Sequence, residues 1–474
     1  MPYSPEMKKA IGLVKKTLAG CGIVRQGRRF KEHGIHQPDP SAPLVLVACS
    51  GGRDSLALAY TAKIVCASLG VRCGAVIVDH HLQTGSGLVA QKAAEQCTAY
   101  GLAPVLIRRA QVHRTRAGLE SDARDARFLQ LISAAHDEAA SVTLLAHTMS
   151  DQAETILFRF LRNPSITALA GMQTFIRREG VLFARPFLQG LTRQETTDLC
   201  LQAGIQWWDD PTNADNLDSS EIRGGGCQQV TAGLPQRSRI RQILIPYMTD
   251  FTGSDLVSLW SSSAPVNQDD ADFLDSQADE AYRKHVSHQT YQMASVQESI
   301  SSSPSSFPVL KEDQPDLYRL LAQPQNQNRF MGGNFLSVYQ LENFPVLHPA
   351  LRRRVLASIM GKEKIQPSAT SILRLDDFLT GSKSAKISGN QAFFAVTLPQ
   401  NQLLKDQPAA NQPAEDLLPA NRLPVSRRQA AQKQEEQRKQ RGKRKQEQAD
   451  ICCWICHQIA GDPSMQESLS EREA

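Results

Sequence analysis

A doubly wound α/β domain built on a parallel sheet is the fold class predicted by residues 44 to about 210. Three observations point there. Short apolar runs alternate with amphipathic stretches of helical period. The runs are apolar throughout rather than at every second position, as in strands covered on both faces. Polar residues gather just behind those runs, at the carboxyl ends of the strands, where such sheets bind ligands.

The elements follow in order. "LVLVAC" from Leu44 reads as the first strand, and "DSLALAYTAKIVCASLG" carries Leu56, Ala59, Tyr60, Ile64 and Ala67 at helical spacing. "CGAVIVDH" is a second strand, "LVAQKAAEQCTAYG" a helix closed by Gly101, and "APVLIRR" a third strand. "LESDARDARFLQLISAAHDEAA" reads as a helix, "VTLLAH" as a fourth strand and "DQAETILFRFLR" as the next helix.

Behind the first strand stands Ser50-Gly51-Gly52-Arg53-Asp54-Ser55. It lacks the GK[ST] ending of a Walker loop and the third glycine of a dinucleotide fingerprint. Hydroxyls and N–H groups in such a loop suit a pyrophosphate, and Asp54 suits Mg²⁺, a hard cation that takes one or two carboxylates beside phosphate oxygens. An ordinary strand–helix turn with Ser50 or Asp54 as N-cap fits the same six residues. Behind the second strand lies "DHHLQTGS", residues 79–86. Behind the fourth, His147, Asp151 and Glu154 share one face if a helix begins near His147. Thr148 and Asp151 also match a capping box, Glu154 a solvated face, and His147 a hydrogen-bonded strand end.

The chain has 474 residues, enough for two to four domains, and its 41% hydrophobic content is ordinary for a globular protein. No run of about 18 apolar residues predicts a membrane span. The lysine-studded N-terminus lacks a secretory apolar core, so a cytoplasmic protein is expected. Ten irregularly spaced cysteines read as reduced thiols, and a net charge of +5 permits a nucleic-acid partner without requiring one.

Beyond residue 250, "DDADFLDSQADEAYRKHV" reads as a helix, and "PVLHPALRRRVLASIM" as a helix presenting Arg352, Arg353 and Arg354 to solvent or to phosphates. "SVQESISSSPSSFPVLKEDQPD" is Ser/Pro-rich loop sequence. From about 401 the chain turns Pro/Asn/Gln-rich and then densely charged without an apolar stripe, predicting a disordered or helical tail. Near its end, "CCWICH" spells a c-type haem attachment motif. Without export haem attachment is not expected there, and zinc would need a fourth ligand, for which Cys452 is too close in sequence.

Taken together, the blocks resemble the tRNA(Ile)-lysidine synthases, a family of N-type (PP-loop) ATP pyrophosphatases with a Rossmann-like sheet. "SGGRDS" is similar to their pyrophosphate loop, "VDHHLQTGS" to their VDHxL…S segment and "ESDARDARF" to their E-x-x-A-R-x-x-R-[FY] helix. "LAHTMSDQAETILFRFLR", "ALAGM", "RPFL", "WWDDPTNAD" and "RSRIRQILIPYM" resemble later blocks in the same order, with weaker similarity in "HPALRRRVLASIM" and "KISGNQAFFAV". The resemblance implies a catalytic domain over 1–249, a smaller, mostly helical tRNA-binding domain over 250–400 and a charged tail over 401–474.

It implies ATP and Mg²⁺ as requirements, and free L-lysine and tRNA(Ile) with a CAU anticodon as partners. The wobble cytidine would be adenylated and then attacked by lysine. Ser50, Gly51, Gly52, Arg53, Asp54 and Ser55 would hold ATP, with Asp54 on the metal. His147, Asp151 and Glu154 would orient the base and deprotonate lysine, while Arg124, Arg127, Arg237, Arg239 and Arg241 would contact tRNA or the adenylate. Another tRNA-modifying pyrophosphatase and a noncatalytic tRNA-binding relative are the alternatives. Thr148 stands where a second histidine is frequent, Arg53 where a small residue is usual and Gln83 where arginine is frequent. A glycine-rich insertion spans about 220–236.

Overall fold

Strand β1 (Leu44–Ala48) sets the architecture: Val45 and Val47 join one apolar core, Leu44 and Leu46 another. Neighbouring residues on a strand point to opposite faces, so a run apolar at every position needs cover on both sides. Each such side chain, fully buried, contributes about 1.5–3 kcal/mol. The computed structural model describes residues 3–31, 37–79, 85–112, 119–209, 235–292, 335–363, 365, 367–381, 386–389, 393–399 and 451–459. They divide between two units, Met1–Ala271 and Asp272–Ala474.

In the first unit β1, β2 (Arg72–Asp79), β3 (Val105–Arg109), β4 (Val142–Leu144) and β6 (Val181–Ala184) are parallel, and β5 (Phe175–Arg178) closes one edge antiparallel. The strand order is β3-β2-β1-β4-β6-β5. One face is covered by α1 (Pro5–Gly20), α2 (Arg53–Leu69), α3 (Ser86–Ala99) and α7 (Arg193–Gln202), through residues such as Val14, Leu56, Ala93 and Leu199. The other is covered by α4 (Leu119–Asp137), through Phe128, Leu131 and Ile132. The predicted doubly wound α/β class is therefore the observed one. Chain order runs outward from β1 through β2 to β3, then returns to β4 on the other side of β1. That reversal opens a crevice at the carboxyl ends of β1 and β4.

The fourth strand is shorter than its apolar run. β4 is in register with β6 only at Thr143 and Leu144; the Leu145 N–H still donates to the Ala184 carbonyl (2.8 Å), and Ala146 and His147 then lead towards α5 (Met149–Arg162). The β5–β6 hairpin was not predicted. It turns at Glu179 and Gly180, both at positive φ. Helix α6 (Ile166–Leu169) precedes the hairpin. Further on, α8 (Gln236–Arg239) passes through a π-turn at Ile240–Leu244 into α9 (Ile245–Thr252), and α10 (Leu256–His285) follows.

The second unit adds a sheet to the helices expected there. Its sheet is antiparallel, in the order β7 (Val286–Gln292), β8 (Phe335–Leu341), β11 (Ile451–Ile459), β10 (Phe393–Pro399) and β9 (Lys386–Gly389). Helices α11 (Pro349–Lys362) and α12 (Ala369–Gly381) add Leu356, Ile359 and Leu379 to a core with Tyr339 and Phe344. The tail is corrected too: residues 451–459 pair with β8 on one side and β10 on the other. The charge density of the preceding segment had hidden a nine-residue β-forming run, "ICCWICHQI". The arginine run also has a structural use, since Arg352 and Arg353 share the buried Asp376 and Arg354 pairs with Asp275.

Candidate active site

The glycine-rich loop is built so that backbone N–H groups stay available. Gly51 takes φ +80, and a Cβ there would stand 3.2 Å from that of Ala93. Gly52, rather than Ser50 or Asp54, is the N-cap of α2, and no side chain caps the first turn. The orphan donors and positive dipole end of α2 thus face the crevice, which suits an anion. Ser55 fixes the loop: its hydroxyl donates to the Gly52 carbonyl (2.8 Å) and accepts from the Ser50 N–H (3.1 Å). The Trp208 N–H closes it from outside by donating to the Gly51 carbonyl (3.1 Å).

This loop forms one wall of a cavity of about 520 Å³. Ser50, Gly52, Arg53, Asp54 and Ser55 line it together with Arg127, His147, Asp151 and Arg193, and Asp79, Trp208 and Asp209 also belong to its lining. The structure brings the loop, His147, Asp151 and Arg127 together around one space. Asp54 lies in the first turn of α2 and accepts a hydrogen bond from the buried Thr196 hydroxyl. Burial, then the like charge of Asp151, raises its pKa above the ordinary value, against the opposing pull of Arg193 and Thr196.

Asp151 does two things at once. It is the N3 residue of a capping box: Oδ2 accepts from the Thr148 N–H and hydroxyl, both at 2.8 Å, while the Thr148 hydroxyl caps α5. Its Oδ1 accepts from Arg193 at 3.0 Å. Burial by itself would raise the Asp151 pKa, but Arg193, His147 and the Thr148 donors outweigh it and leave a carboxylate below its usual value. Thr148, which stands where a second histidine is frequent in the resembling family, is thus a fully buried cap.

His147 sits ahead of α5, so helical spacing from it does not apply. Arg185, 3% exposed, donates from Nε to His147 Nδ1 at 3.3 Å and from Nη1 to the Gln173 carbonyl at 2.5 Å. Desolvation, then the Arg185 charge, drives the His147 pKa down to about 3, so the ring is neutral near pH 7. Arg127 is pushed down to about 10 by burial, with Arg124 and Arg237 adding to the effect, and stays cationic.

Other expected residues lie elsewhere. Among the described cavity-lining residues Glu154, Arg124, Arg237, Arg239 and Arg241 do not appear. Glu154, 2% exposed, turns instead to Arg241, which donates to its two oxygens at 2.5 and 2.9 Å. Arg237 lies over the Phe158 ring (5.5 Å) and Arg239 is exposed, so the three arginines of that block diverge. Gln83, His80, His81 and residues 220–234 of the insertion fall outside the described residues. Arg193, Arg185 and Thr196 were missed by the sequence reading. Arg193 opens an ordinary capped helix, and Arg185 carried no signal beyond its place in "RPFL" behind an unpredicted strand.

A glycine loop presenting a helix N-terminus at the switch point, facing carboxylates and arginines, defines a nucleotide-binding α/β domain of the PP-loop class. Residues 27–223 match the family model described as a PP-loop domain. The chain is 41% identical over 379 residues to the tRNA(Ile)-lysidine synthase of Bifidobacterium longum (strain NCC 2705), covering 79% of this chain and 90% of that protein. It is 44% identical over 286 residues to the synthase of Bifidobacterium animalis subsp. lactis (strain AD011), covering 60% and 73%. With that of Streptomyces coelicolor it shares 40% over 242 residues, covering 51% and 63%. The chain belongs to the tRNA(Ile)-lysidine synthase family. No helix among the described residues is long and apolar enough to cross a membrane.

Proposed function

We propose that this chain joins free L-lysine to C2 of the wobble cytidine of tRNA(Ile) bearing a CAU anticodon, using ATP. In the first step O2 of the cytidine attacks the α-phosphate and pyrophosphate leaves. In the second the ε-amine of lysine attacks C2, loses a proton, and AMP departs. The observation that carries this reading is the convergence, in one cavity, of the glycine loop with His147, Asp151 and Arg193, in a chain of this family.

The residues have the chemistry those steps require. N–H groups at Gly52–Asp54, in the uncapped first turn of α2, and the Ser50 hydroxyl take up charge as it grows on the leaving pyrophosphate. Arg127 and Arg193 add fork-shaped donors to the same cavity. Among the described residues no group of three or more His, Cys, Asp or Glu is arranged to hold a metal alone. Mg²⁺ needs no such cage, because substrate phosphates and water complete its shell. Asp54, a hard oxygen donor at the cavity wall whose pKa burial and Asp151 have raised, fits that part. When bound there, the metal would neutralise phosphate charge.

Lysine arrives as an ammonium with a free pKa of about 10.4 and must shed a proton before attack. The Asp151 carboxylate is an anionic partner for it, reached by displacing the Arg193 contact. ATP–pyrophosphate exchange tests the reading: exchange should depend on tRNA(Ile) and vanish in Asp54→Ala. A chain that binds tRNA without exchange is a noncatalytic relative.

A further inference from the structure

We propose that Arg185 is a positioning residue for this chemistry: its guanidinium fixes His147 as the neutral tautomer with the proton on Nε2, making His147 a hydrogen-bond donor rather than the base. The role in the reaction rests on the function proposed above, whereas the tautomer itself does not.

A guanidinium has donors and no acceptor, so the Arg185 Nε–H directed at His147 Nδ1 (3.3 Å) requires a lone pair on that nitrogen. A neutral imidazole carries one proton, which then sits on Nε2. Arg185 is itself held: its backbone N–H donates to the Thr174 carbonyl (2.9 Å), and Nη1 to that of Gln173 (2.5 Å). Burial and the crowding of Arg124, Arg178 and Arg159 bring Arg185 to about 10, which leaves it charged at neutral pH.

The charges around the ring agree. Arg185 behind β6 and Arg127 and Arg124 on α4 disfavour an imidazolium, and Asp151 on α5 favours one. Desolvation adds to the arginines and outweighs Asp151. Protonating Nδ1 would also bring two N–H groups face to face. In the cavity, His147 therefore offers an N–H to an acceptor such as O2 or N3 of cytosine or an adenylate oxygen. It cannot relieve lysine of its proton, which leaves through Asp151 or water.

Imidazole ¹⁵N NMR of the full chain, with His147→Gln to assign the signal among eleven histidines, reads the tautomer directly. We expect a protonated Nε2 and a bare Nδ1, unchanged from about pH 5.5 to 8.5, around the ordinary histidine pKa of about 6.5. A proton on Nδ1, or titration in that range, overturns the proposal even if the enzyme proves inactive. Arg185→Met should lower kcat for lysidine formation at least about tenfold, or about 1.4 kcal/mol. It should leave KM for ATP within about twofold and add an acid limb that lies below the free-histidine range, because desolvation remains while the Arg185 charge is gone. Arg185→Lys, which keeps a charged donor, should recover most of the loss and remove that limb. An equal, pH-independent loss in both variants would mean a merely structural arginine and refute the assignment. If Arg185→Met does not fold, the wild-type spectrum decides.

Discussion

Replacing Arg241 by methionine removes the cation that faces the most buried carboxylate near the site. Glu154 is 2% exposed and accepts from Arg241 at 2.5 and 2.9 Å. Removing one partner of a buried pair costs about 3–5 kcal/mol, because the remaining charge stays desolvated. For a unit of this size each kcal/mol lowers Tm by about 2–4 °C, so a fall of about 6–20 °C is expected. The loss should depend on pH. Burial, with help from Asp151, already raises the Glu154 pKa against the pull of Arg241, and losing Arg241 raises it further. A carboxyl whose folded pKa lies above its unfolded one stabilises at low pH and loses that contribution as pH rises through the folded value. The deficit of Arg241→Met against wild type should therefore be small at pH 4–5 and open by up to about 1.4 kcal/mol per pH unit above the wild-type Glu154 pKa. Urea unfolding at pH 5 and pH 8 measures this, with fluorescence of Trp260, packed beside Ile240 and Ile245, as a local probe. The double variant Glu154→Leu/Arg241→Met should recover much of the loss. A cost below about 1 kcal/mol, or one equal at both pH values, would refute the reasoning.

Three other outcomes are expected. Asp54→Ala should abolish tRNA-dependent pyrophosphate exchange while a filter assay finds tRNA affinity within about threefold, since Asp54 acts on the nucleotide side; active exchange would contradict the site. Arg53→Ala should cost less than about tenfold in kcat/KM, or about 1.4 kcal/mol, its Nε being 3.8 Å from Asp54 and outside hydrogen-bond range. Ending the chain at residue 400 should unfold the second unit, because β11 has seven register partners on β8 and seven on β10. At about 0.5–1.5 kcal/mol per backbone hydrogen bond, that ladder rivals the stability of a whole domain. Limited proteolysis should then cleave within residues 335–399 and spare that stretch in a control ending at residue 460; a resistant fragment would argue against the ladder.

The parts legible in the sequence were those with local causes. Period and composition gave the sheet, because Leu44 to Val47 must be covered on both faces, and a strand–glycine–helix junction gave the loop. Thr148-x-x-Asp151 suggested both a cap and a site residue, and Asp151 lines the cavity while it caps α5. For that reason Asp151→Asn is no clean test of the two readings: the amide group would confront either the Thr148 donors or Arg193. Long-range pairings were invisible. Thr196 meets Asp54 across 142 residues and Arg185 meets His147 across 38, with no spacing rule to announce either. Glu154 looked like a third site residue because i, i+3 spacing fixes a helical face, while its partner Arg241 lies 87 residues away. Strand β11 was lost to averaging, its short β-forming run following a long charged one.

Mass spectrometry of the wobble nucleoside tests the central claim most directly. A tRNA(Ile) transcript with a CAU anticodon is incubated with the full chain, ATP, Mg²⁺ and isotope-labelled lysine, then digested to nucleosides. The account predicts that the label appears in a lysine-bearing cytidine at position 34, in step with AMP release, and is absent in Asp54→Ala. Unmodified cytidine after AMP has been released, or label on any other nucleoside, would contradict it.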